Sequence, residues 1–421
     1  MREIYLDNNS TTHLPKSVKN KVLKAFDYGN ASSHYAHKAK NIIHEFEDTL
    51  YKYLDLPRKD YTFVFTSGAS ESNATIITSC AMSFKERTGI VPHIITSNSE
   101  HKSILKTCQN LVKNGIIECS LISINKYGCV NPDDLLKLIK DNTCLVTVMT
   151  ANNEIGSINN IEELSNICHR KKVPFHTDAV QAWGKTKFKP SKQGVDAFSL
   201  SFHKVYGPIG IGVLGIRNLF IEGYQLNGLI GGTQNKELRG GTMNVPAIAG
   251  AKAGVEWFFN NRAEKNRKLH MLYIELVNRL QSEIPVTSFP DASGRKIPPL
   301  EIFIFGMPRY PSSNSKGIGG GISNSQMSHT ILMSVVKREG PPICNLKLRD
   351  DLLNYRGARY YVSIGSACNT ESKKPSHVLF ALGLPRELRC GVLRISIGDT
   401  NTLAEIRSFA DALLQCIRSQ G

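Results

Sequence analysis

The sequence has no pair of cysteines with Cys-X-X-Cys spacing, although ten cysteines are scattered over its 421 residues. Zinc sites and redox dithiols depend on such close spacing, so neither is expected, and we predict no metal site. In a reducing compartment, isolated cysteines are commonly small buried hydrophobes.

Long apolar runs are missing as well. No stretch approaches about 18 uninterrupted apolar residues, the length that a transmembrane helix requires. The N-terminus runs from Glu3 straight into Ile4–Asp7 and shows the pattern of neither a signal peptide nor a transit peptide. With 41% hydrophobic and 21% charged residues, the composition is that of a globular protein. We expect a soluble, cytoplasmic protein with two packed domains and no membrane partner.

Acidic residues are fewer than basic ones: the chain has 36 Asp and Glu residues and 52 Lys and Arg residues, which gives a formal charge of +16. Such an excess is compatible with nucleic-acid binding, with an anionic substrate or with a generally basic proteome. Aromatic residues do not interleave with the basic ones as a base-stacking platform requires. Nucleic acid is therefore not the expected partner.

From about residue 60 to 215, short apolar runs alternate with longer helical patterns. The strand-length runs are Tyr61–Phe65, His93–Thr96, Cys119–Ile122, Leu145–Met149, Val173–His176, Ala197–Leu200 and Gly210–Ile216. The helical patterns are Ser70–Arg87, Lys102–Asn114, Pro132–Lys140 and Ile161–Lys171, followed further on by Val245–Asn260, Ala263–Glu283 and Thr402–Arg418. This rhythm predicts a mainly parallel sheet wrapped by helices, with the active site beyond the carboxyl ends of its strands. The Gly/Ser-rich stretch Ser312–Ser325 is typical of a loop.

Polar residues follow several of these strands. The segment Thr66–Ser72 places small hydroxyl residues and a glycine where a helix begins, which suits an anion site, although a simple N-cap has the same composition. Asp178 and Gln181 follow another strand, and Ser201–Lys204 follows the next. Each residue alone has an ordinary structural explanation. Together, a phosphate cradle, a carboxylate and a lysine are what pyridoxal phosphate (PLP) needs.

Nine motifs occur in a family-specific order along nearly the whole chain. They are Tyr5–Thr12, Thr66–Ser72, Ser99–Lys102, Asn152–Gly156, His176–Gln181, His203–Pro208, Arg239–Thr242, Gly365–Cys368 and Leu393–Ser396. In this order the chain resembles the cysteine desulfurases of the NifS and IscS type, in the class V aminotransferase-like PLP family. The resemblance implies the α/β architecture of fold type I PLP-dependent transferases. A large PLP-binding domain (16–258) would contain a mainly parallel seven-stranded sheet, and a smaller α/β domain (1–15 and 259–421) would carry a mobile cysteine loop at about 360–374.

The resemblance also implies roles for the residues around the PLP ring. Lys204 matches the lysine that holds PLP and takes the Cα proton of the substrate. Asp178 would pair with the pyridine nitrogen, Gln181 would bond the phenolic oxygen, and Asn153 would lie by that oxygen and the substrate. His101 would stack on the ring and transfer protons, a role that imidazole suits near neutral pH.

Other matched residues concern the phosphate. Ser70, Ser201 and His203 would hold it, aided by the backbone at Ala69 and Ser70. Thr242 matches a residue that reaches the phosphate from the neighbouring subunit, which implies a homodimer.

Cys368 is the candidate nucleophile. The resemblance implies that its thiolate attacks the sulfur of L-cysteine bound to PLP, giving alanine and a persulfide on Cys368. The sulfur would pass to an acceptor protein such as an iron–sulfur scaffold. Arg394 provides the planar fork that captures a substrate carboxylate.

Two departures and two alternatives remain. Phe202 stands where the family usually has a small residue, and an insert at about Lys337–Arg359 is either an acceptor-docking element or a solvated surface insertion. One alternative function is a selenocysteine lyase or cysteine sulfinate desulfinase of the same fold, which relies less on Cys368. The other is a catalytically silent basic binding protein.

Overall fold

The computed structural model describes residues 2–58, 60–288, 299–306, 326–365 and 376–420. The predicted loop Ser312–Ser325 and the predicted nucleophile Cys368 lie outside the described residues. Within these ranges, no helix combines the length and the apolar character that crossing a membrane requires.

Strands and helices alternate along the first half of the chain. The strands are β1 (Arg2–Tyr5), β2 (Tyr61–Thr66), β3 (His93–Ser97), β4 (Glu118–Ile122), β5 (Thr143–Thr147), β6 (Phe175–Asp178), β7 (Ala197–Ser201), β8 (Gly212–Arg217), β9 (Val286–Ser288), β10 (Leu300–Ile304), β11 (Thr330–Lys337), β12 (Ala358–Tyr361) and β13 (Val392–Ser396). The helices are α1 (Lys16–Ala25), α2 (His37–Leu54), α3 (Ala69–Thr88), α4 (Lys102–Lys113), α5 (Pro132–Leu138), α6 (Ile161–Arg170), α7 (Asn218–Tyr224), α8 (Val245–Phe259), α9 (Arg262–Gln281), α10 (Asn345–Leu353), α11 (His377–Ala381), α12 (Arg386–Cys390) and α13 (Leu403–Arg418).

Seven strands form the central sheet, in the order β2-β8-β7-β6-β5-β3-β4. Every strand runs in the same direction except β8, which is antiparallel to both β2 and β7. Strands β2 and β5 are buried along their whole length because helices cover both faces of the sheet. The prediction of a mainly parallel seven-stranded sheet is confirmed.

The predicted element boundaries are wrong by one to two residues at several places. The run Leu145–Met149 is a strand only to Thr147, and its partner begins at Phe175 rather than at Val173. Pro174 precedes Phe175 and has no N–H for the ladder, which explains the later start. The strand also ends later than predicted, so Asp178 is the last residue of β6 and does not follow it.

Two main hydrophobic clusters organise the rest of the molecule. One packs on the central sheet, includes Phe46, Trp183 and Phe202, and extends to Val378 in the C-terminal part of the chain, while a separate, smaller cluster around Val64 also packs on this sheet. The other joins β1 and the helices α9, α10 and α13 to a second sheet of order β13-β11-β10-β9. Strand β1 pairs with β12, so the beginning of the chain belongs to the second cluster.

The insert at 337–359 is anchored in the second cluster. It contains α10, on which Leu348 and Leu352 are fully buried, and the preceding Ile343 is buried as well. Its basic residues Lys347 and Arg356 are exposed. This segment therefore packs apolar side chains into the core and exposes basic side chains to solvent.

Candidate active site

A cavity of about 370 Å³ lies at the carboxyl ends of β2, β6 and β7, and its wall is completed by the N-terminal segment and by β13. The predicted site residues that line it are Ala69, Ser70, His101, Asn153, Asp178, Gln181, Ser201, His203, Lys204 and Arg394. Thr242 is exposed and does not line the cavity of this single chain. Sequence reasoning missed Asn9 and Ser10 as parts of the wall.

The turn between β2 and α3 forms the anion cradle. Gly68 has a φ of 156°, a conformation that only glycine adopts readily, and it leads directly into the first helical turn at Ala69. The first backbone N–H groups of a helix have no partner within the helix, so those of Ala69 and Ser70 suit a phosphate. A side-chain atom added at Gly68 would lie 3.9 Å from the hydroxyl oxygen of Ser201, which places Ser201 beside this turn.

Arg239 adjoins the cradle from the outside. Its Nε donates to Glu71 Oε1 at 2.9 Å, on the first turn of α3. This contact places the segment Arg239–Thr242 next to the helix N-terminus, although Thr242 itself does not line the cavity of its own chain.

Asp178 presents a buried carboxylate to the cavity. Its Oδ2 accepts a hydrogen bond from Asn73 Nδ2 at 2.9 Å, and its Oδ1 accepts one from the backbone N–H of Val180 at 3.1 Å. The side chain is 5% exposed. A carboxylate held in this way suits pairing with a protonated ring nitrogen.

Lys204 ends a short 3-10 turn that Phe202 anchors in the core. The Phe202 ring packs 4.9 Å from that of Phe46, measured between centroids, and is fully buried. The Nζ of Lys204 donates to the carbonyl oxygens of Asn9, at 2.7 Å, and Ser10, at 2.5 Å. The amine is thereby held at the floor of the cavity.

His203 is neutral at physiological pH. Burial, followed by the charges of Lys204 and Lys185, lowers the pKa of His203 to about 3. A neutral imidazole can both donate and accept, and its Nδ1 shares a hydrogen bond with Thr11 Oγ1 at 3.1 Å.

Gln181 is fixed at both ends of its amide. Its Nε2 donates to the carbonyl oxygen of Asn9 at 3.1 Å, and its Oε1 accepts from Lys185 Nζ at 2.9 Å. Desolvation, followed by the charge of Lys204, lowers the pKa of Lys185 to about 7. Sequence reasoning missed Lys185, because a single lysine in a turn carries no signal.

Arg394 is the largest buried cation of the wall, at 1% exposure. Its Nη2 donates to Asp7 Oδ1 and to Ser10 Oγ, and its Nη1 donates to the carbonyl oxygen of Asn153 at 3.3 Å. Among the described residues, its Nε has no hydrogen-bond partner. The guanidinium thus keeps donor capacity beyond these contacts, in a side chain that lines the cavity.

These groups fit pyridoxal phosphate. A helix N-terminus with adjacent hydroxyls suits its phosphate, the buried Asp178 suits its ring nitrogen, and the amine of Lys204 suits its carbonyl carbon. The sheet architecture and this donor set together define a PLP-dependent enzyme of fold type I.

The chain belongs to the class V aminotransferase family, whose model (Aminotransferase class-V) matches residues 4–298. It is similar over 100% of its length to a cysteine desulfurase IscS of Clostridium botulinum, with 33% identity and 95% of that protein covered. A cysteine desulfurase IscS of Methanosarcina thermophila is 34% identical, over 96% of this chain and 89% of the relative. A mitochondrial cysteine desulfurase of Candida albicans is 31% identical, over 100% and 77%.

Solved structures agree with this assignment. A NifS-like protein superposes with a TM-score of 0.80 at 29% identity, covering 100% of both chains. A structure described as SspA in complex with cysteine superposes with a TM-score of 0.71 at 27% identity, over 95% of this chain and 100% of the other. The predicted family and fold type are confirmed.

Proposed function

We propose that the protein is a PLP-dependent cysteine desulfurase, which converts L-cysteine to L-alanine and a persulfide on Cys368. The observation that carries the proposal is the convergence of Lys204, Asp178 and Arg394 on one cavity. Full-length similarity to curated cysteine desulfurases supports the choice of substrate. The persulfide sulfur would supply iron–sulfur cluster assembly or another sulfur-transfer reaction.

The residues of the cavity divide the binding task. Ser70, Ser201, His203 and the backbone at Ala69 would hold the phosphate of the coenzyme, and Asp178 and Gln181 would hold its ring. When bound, the coenzyme supplies an electron sink for chemistry at the substrate Cα.

Two residues would bind and deprotonate the substrate. Arg394 would bind the α-carboxylate through donors that Asp7 and Asn153 leave available. Lys204 Nζ would remove the Cα proton, which requires the amine to leave the carbonyl oxygens of Asn9 and Ser10. His101 would exchange protons on the ring face.

Cys368 would complete the reaction as a thiolate. Its sulfur forms a bond to the substrate sulfur while the Cβ–S bond of the substrate breaks, and the two electrons of that bond stay with the alanine fragment. One proton delivered to Cβ then gives alanine.

The assembly and the location are part of the same proposal. We infer a homodimer in which Thr242 reaches the neighbouring subunit's phosphate site, consistent with its exposure beside the cradle. The large domain would span 16–258 and the small domain 1–15 and 259–421; the second hydrophobic cluster draws only on the latter two segments, whereas the first draws on both proposed domains. The protein would act in the cytoplasm and deliver sulfur to a protein acceptor such as an iron–sulfur scaffold.

Alanine release from L-cysteine tests the function, with PLP and a thiol reductant present. Wild type, Cys368→Ala and Cys344→Ala are compared, since Cys344 is an exposed free cysteine and a matched control. We expect turnover in wild type and Cys344→Ala and none in Cys368→Ala. A PLP-loaded wild type that releases no alanine would refute the proposal, and turnover of selenocysteine alone would favour the lyase alternative.

A further inference from the structure

A continuous chain of hydrogen bonds joins His101 to Asp178. The Nδ1 of His101 lies 2.8 Å from Ser103 Oγ, which lies 2.9 Å from Asn73 Nδ2. The same Asn73 nitrogen lies 2.9 Å from Asp178 Oδ2. Two residues outside every recognised motif therefore connect the two polar groups that flank the coenzyme ring in the proposed function.

The direction of each hydrogen bond follows from the chemistry of its ends. A carboxylate only accepts, so the amide nitrogen of Asn73 faces Asp178 and donates to it. The second hydrogen of that nitrogen points to Ser103 Oγ. Because the backbone N–H of Ser103 makes Nδ1 an acceptor, the hydroxyl proton of Ser103 is directed at His101. The backbone N–H of Ser103 also donates to His101 Nδ1, at 3.2 Å.

The imidazole consequently has a defined tautomer. Its Nδ1 receives two donors from Ser103, so Nδ1 contributes its lone pair and the ring proton is on Nε2. A proton on Nδ1 would point at the hydrogen of the Ser103 backbone N–H, and a backbone N–H cannot rotate to avoid it.

We propose that Ser103 and Asn73 are positioning residues, which hold His101 as the neutral Nε2–H tautomer and couple it to the carboxylate of Asp178. Proton exchange by His101 is thereby confined to Nε2. The catalytic meaning of this arrangement rests on the proposed function, whereas the tautomer itself does not.

Helix capping alone does not explain the arrangement. His101 is the N-cap of α4, and capping requires only its contact with the backbone N–H of Ser103. The Ser103 hydroxyl and the Asn73 amide add nothing to that cap. Since Ser103→Ala removes the hydroxyl and leaves the backbone N–H, it separates the two explanations.

Ring-nitrogen NMR of apo-protein labelled with [15N]histidine tests the proposal, with the His101 signals assigned by their loss in His101→Gln. We expect one Nε2–H tautomer in wild type, a smaller Nε2–H fraction in Ser103→Ala, which keeps only the longer contact from the backbone N–H to Nδ1, and the wild-type pattern again in Ser103→Thr, which restores a hydroxyl. Asn73→Ala should shift the signals in the same direction as Ser103→Ala. Unchanged ring-nitrogen shifts in Ser103→Ala would overturn the proposal, as would an Nδ1–H tautomer in wild type.

The loaded enzyme provides a second readout. We expect Ser103→Ala and Asn73→Ala each to lower kcat about tenfold, and the double variant to lose no more than either, because residues that act as one unit are not additive. Multiplied losses would contradict the coupling. A wild type that shows the NMR pattern but releases no alanine would refute the proposed function and leave the tautomer assignment standing.

Discussion

Arg394 and Asp7 form an ion pair between β13 and the segment that follows β1, with 2.5 Å between Nη2 and Oδ1. The guanidinium is almost completely buried and Asp7 remains 19% exposed. Asp7 therefore neutralises a buried cation in the absence of substrate, and it orients a guanidinium that lines the cavity.

Replacing Arg394 by lysine keeps the charge but removes the fork. We expect the KM for L-cysteine to rise about 10- to 100-fold, the range of one or two charge-assisted hydrogen bonds, with a smaller effect on kcat. Steady-state kinetics checks this, with Arg279→Lys as the control, because Arg279 pairs with Asp411 on the surface. An equal rise in KM in both variants would contradict substrate capture by Arg394.

Lys204→Ala should abolish covalent attachment of the coenzyme. Lys185→Met is the control, because Lys185 is a second amine that could bind the coenzyme. Lys185 donates a hydrogen bond to Gln181, and its pKa of about 7 leaves much of its amine unprotonated near neutral pH. After borohydride reduction and mass spectrometry, we expect the mass of the coenzyme on wild type and Lys185→Met and its absence from Lys204→Ala. Coenzyme retained on Lys204→Ala would show that another amine holds it.

Gly212→Ala should disturb the anion cradle from behind. A Cβ at this position would lie 2.6 Å from Gly68 Cα and 2.7 Å from the carbonyl oxygen of Leu200, so backbone must move. We expect a loss of about 1–3 kcal/mol in the free energy of unfolding and about tenfold weaker PLP binding, or about 1.4 kcal/mol. Gly223→Ala, with nothing within 4 Å of its added Cβ, should change neither quantity by more than about 1 kcal/mol.

Glu100 makes stability depend on pH. Burial raises the pKa of Glu100 from its ordinary value of 4.5 to about 8. Between these two values the folded state binds a proton that the unfolded state has released, so stability falls as the pH rises through this window. Glu100→Gln mimics the protonated acid, so its stability relative to wild type should increase with pH over this window, by at most about 1.4 kcal/mol per unit. A difference that is constant from about pH 5 to 9 in urea unfolding would refute this.

Much of the architecture could be predicted, because each buried strand of the central sheet is a short apolar run between turns. Strand direction could not be predicted in the same way. The run that forms β8 is as apolar as the run that forms β7, yet the two strands are antiparallel. A short connection through Lys204 joins them, and the apolar pattern alone does not show whether a connection reverses the direction of the chain.

The site residues were predictable where they belong to motifs at strand ends, as Asp178 and Lys204 do. Asn73, Ser103 and Lys185 were missed for a physical reason. Asn73 lies inside α3 among other buried polar residues such as Ser72 and Thr75, a pattern that helical periodicity interprets as an exposed face. Only the folded structure shows that these side chains meet across elements.

The pairing of β1 and the residues after it with distant strands affects how the protein folds during synthesis. Their partners β12 and β13 leave the ribosome more than 350 residues later, and the pair between Asp7 and Arg394 spans 387 positions. Contacts of such high sequence separation form slowly, since the intervening loop must close first. A nascent chain can therefore build much of its central sheet while Lys204 still lacks the carbonyl oxygens of Asn9 and Ser10 in their final place. The cavity becomes complete only after β13, which carries Arg394, has been translated.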